Sequence, residues 1–437
     1  VEIQNFVSFC GIIILISLAW LLSENRRIVN WLVVIWGVGL QFLFALFLFV
    51  FPAGIKLFMF LNDLVVKVMD SSMAGARFVF GPLALSPGMS TKEGLSSLGF
   101  ILAFQGLPSI IFFSALMAVL YHWNVIPALI RFFAFLFTRL MKVSGAESLC
   151  AASNIFAGVE SCLTVKPFLK DMTRSELCTV LTAGMATVAS NILAVYTFCL
   201  YKEFPTIAGH LVSASFLSAP AALVMAKMLV PEAGCPRTLG EQVDFKIEKE
   251  DNLFLAIING ANTGAKLIVG IVALLIAVLG LVAMVDSVLI WIGGQLNTIC
   301  QWQVDWSLKG LLGYVFYPLT LILGIPPADA GILSGIIAER LVVTELTAYQ
   351  DLAKAMAEGL IIYPRSAVIT AYALCGFAHV ASMAIFVGGV SAIVPERSRE
   401  LAEVAFQSLL AANLACLLTA CVAGVFFVQG TLLLGAG

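Results

Sequence analysis

Gly184-Met185-Ala186-Thr187-Val188-Ala189-Ser190 returns in the second half of the chain as Gly376-Phe377-Ala378-His379-Val380-Ala381-Ser382. Five of the seven positions are identical, and most are small. Gly/Ala-rich apolar sequence produces such matches by chance, so the flanks decide. An Arg-Ser pair precedes each copy, Arg174-Ser175 and Arg365-Ser366. Before each pair lies a segment carrying one acid in apolar surroundings, Glu160 in the first and Glu345 in the second. The segment around Glu160, residues 149–165, is too short and too rich in small residues to span comfortably. It reads as a re-entrant hairpin, and such backbone is tolerated only where protein or a cavity surrounds it. Residues 310–350 read as a second one, with Pro318, Gly324, Pro326 and Pro327 breaking its first half and Glu339, Arg340 and Glu345 charging its second.

The rest of the chain supplies the spans. Of 437 residues, 61% are hydrophobic and only 11% are charged, against about a quarter in soluble domains. Mean hydropathy is +1.03. Apolar runs of about twenty residues recur, each able to cross roughly 30 Å of hydrocarbon. Spans are expected at residues 6–22, 29–51, 100–121, 177–200, 207–229, 267–285, 367–394 and 402–432. The first is read as a true span, because no basic residues precede it and no small-residue cleavage site follows. Residues 53–75 carry Lys56, Asp63, Lys67 and Asp70 and read as a helix lying in the interface. Residues 71–99 read as an exterior loop, 231–251 as a cytoplasmic loop and 252–266 as a surface helix.

Arg26 and Arg27 put the first loop in the cytoplasm. On that topology the two Arg-Ser pairs fall on opposite sides, which makes the repeat an inverted one. The fold class expected is therefore all-α and polytopic, with about eight transmembrane helices and two opposed hairpins. Inverted repeats with interrupted helices are how secondary transporters build midplane sites. A net charge of -2 gives no nucleic-acid footprint. The ten cysteines are scattered, without metal spacing, and read as small buried hydrophobes. No HExxH, Walker A or nucleophile–base arrangement suggests an enzyme. A membrane enzyme and a non-transporting scaffold or receptor are the rival classes.

Glu160 and Glu345 are functional-site candidates because an acid amid apolar sequence is costly. The competing reading is a structural pair, with Arg340 serving Glu345. His379 sits inside the seventh-span break. Asn154 and Thr187 offer neutral oxygens that suit a hard cation, or serve as helix glue.

At these residues the chain resembles the concentrative nucleoside transporter family. The match runs through most of the chain after Gln105. It is strongest at Met172-Thr173-Arg174-Ser175-Glu176-Leu177 with Gly184-Met185-Ala186-Thr187, at Asn154-Ile155-Phe156, and at Tyr372-Ala373-Leu374-Cys375-Gly376-Phe377-Ala378. The resemblance implies an inner-membrane homotrimer working as an elevator, and sodium-coupled symport of nucleosides with no other cofactor. It implies a scaffold part at residues 1–124, transport-domain halves at 125–230 and 310–437, and a loop with the sixth, scaffold span at 231–309. Glu345 and Ser382 would bind ribose hydroxyls, and Val159 and Glu160 would meet the base. Ile192, Phe377 and His379 would line the site. Asn154, Thr187 and the carbonyls of Ala157 and Val188 would hold sodium. Two departures fall at the substrate. The family's Gly-Gln-Thr-Glu tip is Gly158-Val159-Glu160-Ser161 here, and its Asn after Phe-Ala is His379. They keep open a proton-coupled alternative carrying a modified nucleoside, a nucleobase or another small polar solute. Imidazole titrates near neutral pH, so a donor-only, protonated His379 and pH-dependent binding are expected.

Overall fold

The computed structural model describes residues 3–85, 97–158, 161–243 and 250–428. Among them the regular structure is helical. The first two spans are α1 (Ile3–Leu21) and α2 (Trp31–Phe49). Next comes α3 (Pro52–Phe80), which continues ten residues into the expected 71–99 loop because no proline interrupts it before Pro82. A 3-10 turn follows, and residues 86–96 lie outside the described residues. The third span is split into α4 (Leu102–Gln105) and α5 (Pro108–His122). An element absent from the sequence reading comes next. It is α6 (Val125–Met141), which buries Ile130 and Phe137 and exposes Arg131, Phe132 and Phe135.

Hairpin one consists of α7 (Gly145–Asn154), a turn, and the short α8 (Ser161–Thr164) and α9 (Lys166–Leu169). The fourth span is broken into α10 (Arg174–Ala186) and α11 (Ser190–Leu200), and α12 (Ile207–Leu229) completes the first repeat. Both α7 and α10 begin with capping boxes, Ser144 with Glu147 and Thr173 with Glu176, which satisfy the first free amides of helices that start inside protein.

The expected surface helix and sixth span are one continuous helix, α13 (Leu253–Cys300). Lys266 does not interrupt it, since a single charge removes no backbone hydrogen bond. Residues 310–350 also differ from expectation. Pro318 lies inside α14 (Leu308–Ile322) rather than ending it. The chain turns at Gly324, whose φ is +88°, and Pro327 opens α15 (Pro327–Val342). The hairpin proper is α15 with α16 (Glu345–Ala357). The seventh span is broken into α17 (Pro364–Ala373) and α18 (Val380–Ile393), and α19 (Ser398–Phe426) closes the second repeat. Residues 429–437, within the expected last span, lie outside the described residues.

Among the described residues, seven stretches are long and apolar enough to cross a membrane. The broken seventh span is the eighth, its halves each too short to count alone. The core is the bundle of α10, α12, α17 and α19, with α1 packed on α19 and α2 on α12. By contrast α5 runs along α13, where a Cβ on Gly260 or Gly264 would come within 2.8 Å or 2.7 Å of the α5 backbone. Small residues four apart permit that approach. The first two spans therefore pack with the bundle, away from the third.

Candidate functional site

The repeated heptapeptides fold into the two breaks, and the breaks meet at the centre of the bundle. Thr187 and Ala189 are extended, with α11 starting at Ser190. The hairpin-one turn secures this break: the Phe156 carbonyl accepts from Ser190 Oγ at 2.5 Å and from its amide at 3.4 Å. In the other break, Ala378 O accepts from Asn413 Nδ2 of α19 at 3.2 Å. Gly376 is glycine because a Cβ there would lie 2.9 Å from the Met185 carbonyl of the first break. Gly184 is glycine because a Cβ there would strike the Phe386 ring at 2.1 Å.

Beside the breaks lies a cavity of about 620 Å³. One wall comes from α13, with Lys266, Leu267 and Gly270, and from Leu107 ahead of α5. The other wall is made by Thr187, Val188, Ile192, Thr344, Glu345 and Phe377. The cavity thus sits between the α5–α13 pair and the bundle.

Glu345 is the focal group. It is buried, and it is the first residue of α16 after the Thr344 cap. Free amides and the helix dipole at that end favour a carboxylate. The competing reading, a structural pair with Arg340, is not what the side chains make: Arg340 donates to Ala373 O and Asn413 Oδ1. Tyr196 Oη donates to Glu345 Oε1, and His379 Nε2 approaches Oε2 at 3.3 Å. The Tyr196 ring lies against Tyr349, centroids 4.8 Å apart.

His379 is the cap of α18. Its Nδ1 accepts from the Ser382 amide at 3.1 Å, and its own amide donates to Ser382 Oγ at 3.0 Å. With Nδ1 engaged in the cap, Nε2 is the ring nitrogen that faces Glu345. Ser382 is buried behind His379, donating to its carbonyl at 2.7 Å, and is absent from the cavity wall. Phe377 lies edge-on to His379 with centroids 4.7 Å apart.

Asn154 ends α7, fully buried. Its Nδ2 donates to Cys150 O at 2.9 Å, and its Oδ1 accepts from Ser161 Oγ at 2.8 Å. Ala157 is in the turn after it, and Thr187 Oγ1 donates to Ala183 O at 3.0 Å. Val188 O accepts a long bond from Ser215 Oγ, 3.4 Å. Val159 and Glu160 lie outside the described residues. Sequence reasoning missed Tyr196 and Asn191, both on the cavity wall. Asn191 Oδ1 has no hydrogen-bond partner among the described residues. The available signal was spacing, since Tyr196 is one turn beyond Ile192 on the helix that follows the break.

Comparisons with known proteins agree along the chain. Models described as Na+ dependent nucleoside transporter N-terminus, Nucleoside recognition, and Na+ dependent nucleoside transporter C-terminus match residues 10–83, 103–201 and 210–424. The chain is 36% identical to solute carrier family 28 member 3 of Mus musculus, over 97% of this chain and 59% of that protein. It therefore spans about three fifths of the length of such mammalian relatives. It is 34% identical to an uncharacterized transporter of Bacillus subtilis (strain 168), over 95% of this chain and 98% of that one. The structure of CNTnw in an inward-facing substrate-bound state superposes with a TM-score of 0.87 at 32% identity, covering 97% of this chain and 98% of that one. Hairpins, paired breaks and matches over nearly the whole length lead to one conclusion: the chain belongs to the concentrative nucleoside transporter family.

Proposed function

We propose that this chain carries nucleosides into the cell across the inner membrane, driven by sodium. The observation that supports this most is Glu345, a buried carboxylate at a helix start, facing a cavity between two packed bodies. Held by the Tyr196 hydroxyl on one oxygen, it keeps lone pairs for ribose hydroxyls. Phe377 and Ile192 supply apolar surface for a base, Val159 and Glu160 read its edge, and Ser382 orients His379 beside Glu345. Asn154 Oδ1, the Thr187 hydroxyl and the Ala157 and Val188 carbonyls hold sodium. Oxygen ligands without a carboxylate suit a monovalent cation, and Asn154 Oδ1 has a second lone pair free of Ser161.

In this reading the bundle moves as an elevator against a frame built on α5 and α13. The spans α1 and α2 travel with the bundle on which they pack, which narrows the scaffold relative to residues 1–124. The outward apolar surface of α13 forms the contact of a homotrimer. The test is uptake of labelled uridine and adenosine into proteoliposomes under a sodium gradient or a proton gradient. Sodium should drive accumulation, and competing nucleobases and sugars should not block it. The 3.3 Å approach of His379 to Glu345 favours one second reading, proton-coupled uptake of a modified nucleoside. Accumulation that ignores sodium and follows the proton gradient would replace the first reading with the second.

A further inference from the structure

Lys266 puts a charge on the frame side of the cavity. It belongs to the wall made by α13, across from the wall that holds Glu345, Thr187 and Val188. The α13 residues on its wall are Thr263, Lys266, Leu267, Gly270, Ile271 and Leu274. They recur at intervals of three and four, so they form one face of the helix. Lys266 therefore faces the bundle rather than lipid. No acid among the described residues pairs with its ammonium. Gly260 and Gly264 hold the same stretch of α13 against α5, so the charge is fixed to the frame. A lysine inside a membrane protein is costly and marks a functional position by default.

The fold also sets the height of this charge. The Glu24 amide donates to Leu229 O at 2.9 Å. Glu24 lies in the loop that Arg26 and Arg27 mark as cytoplasmic, so α12 ends on that side. A polar loop leads from there to the start of α13 at Leu253. The cavity meets α13 between Thr263 and Leu275, in the half of the helix nearer the cytoplasm. The site therefore stands at the inner end of its travel. The other charge of α13, Asp286, lies in the outer half and accepts from the Leu308 amide at 2.7 Å. A bundle that moves outward leaves Lys266 behind.

We infer that Lys266 is a release residue, a fixed cation that the loaded site meets only on the cytoplasmic side. This rests on the sodium-driven elevator reading above and adds a sidedness to it. The ammonium repels sodium held at the inner position. It also offers donors to Glu345 once the ribose hydroxyls depart. A unit charge about 10 Å from a bound cation, at an effective dielectric of about 20, changes its affinity on the order of tenfold. Sodium is accordingly held more weakly at the cytoplasmic face than at the outer one.

The experiment measures the sodium concentration that gives half-maximal entry of labelled uridine at each face, in right-side-out and in inverted membrane vesicles. The readout is the ratio of the two, cytoplasmic over outer. The parent should show a ratio of about ten or more. Lys266→Gln should lower the ratio about tenfold, whereas Lys266→Arg keeps the charge and should keep the ratio. Lys266→Met retains the apolar stem and tests the same point should the Gln variant not fold. Entry indifferent to sodium at both faces would overturn the sodium reading itself. Sodium-driven entry with equal requirements at the two faces of the parent would overturn the release role whether or not any variant folds. A folded Lys266→Gln with the parent's ratio would make Lys266 an interfacial anchor at the start of a span and end the proposal.

Discussion

Tyr196 hydrogen-bonds one oxygen of the Glu345 carboxylate, while His379 Nε2 stands 3.3 Å from the other without making a hydrogen bond. A hydrogen bond to a charged group contributes about 1.5–3 kcal/mol. Tyr196→Phe should therefore lower the substrate-free unfolding temperature, and saturating nucleoside should recover most of the loss because ribose hydroxyls can replace the phenol. A variant that melts like the parent would show that this contact holds nothing. His379→Asn tests the other side. Asn is a strong helix cap, so α18 should keep its start while Glu345 loses a neighbour. We expect a folded transporter with selectivity shifted toward ordinary nucleosides; an unchanged substrate panel would leave specificity to the tip at Val159 and Glu160. At this scale the sequence disclosed Glu345 and His379 because ionisable groups stand out in apolar surroundings. It did not disclose Tyr196, whose part depends on α11 folding across the start of α16. Proximity along the chain does not pair Arg340 with Glu345: the hairpin turn reverses direction between them, so the guanidinium reaches the seventh-span break.

The elements divide by whether their boundaries are written locally. Prolines opening α3, α5, α15 and α17, and the Ser144 and Thr173 capping boxes, mark starts that any neighbourhood would respect. The two breaks were visible only as a repeat, since neither contains proline and their extended residues are held by contacts from other helices. The long α13 was misread because a lone lysine looked like an interface. Its pairing with α5 gives a prediction at this scale. Gly264→Leu would push a side chain into the α5 backbone, where a Cβ already meets Ile111 Cα at 2.7 Å. Gly280 of the same helix has open space around it. Overpacking costs about 1–3 kcal/mol, so Gly264→Leu should unfold at lower temperature than Gly280→Leu. Equal unfolding temperatures would argue that the pair is loosely joined.

For the whole molecule, the elevator reading predicts that the two hairpin tips never open to the same side together. With the exposed Cys235 and Cys300 replaced by serine, single cysteines at Gly158 and Thr344 can be labelled by an impermeant maleimide. They should react from opposite faces, with nucleoside shifting the balance between them. Reaction of both from one face under every condition would exclude movement of the bundle as a body. The class of the molecule was the most legible thing about it, since composition alone dictates a chain of spans. The grouping of spans was not legible, because lipid-facing and protein-facing apolar helices have similar sequences.

The unbroken α13 carries a consequence for the surrounding lipid. Its 48 residues extend about 72 Å at roughly 1.5 Å per residue, against about 30 Å of hydrocarbon. Phe254 near one end and Ile299 near the other are both more than 70% exposed in the chain, which disfavours leaving the ends upright in water. The helix must then lean beyond the usual range of about 0–40° from the membrane normal, or the bilayer must thicken around it. Either response makes the frame a gauge of bilayer thickness. Uptake in proteoliposomes of graded acyl-chain length should pass through a maximum, falling as the mismatch grows on either side; a rate indifferent to chain length would mean that neighbouring protein, not lipid, sets the lean of α13.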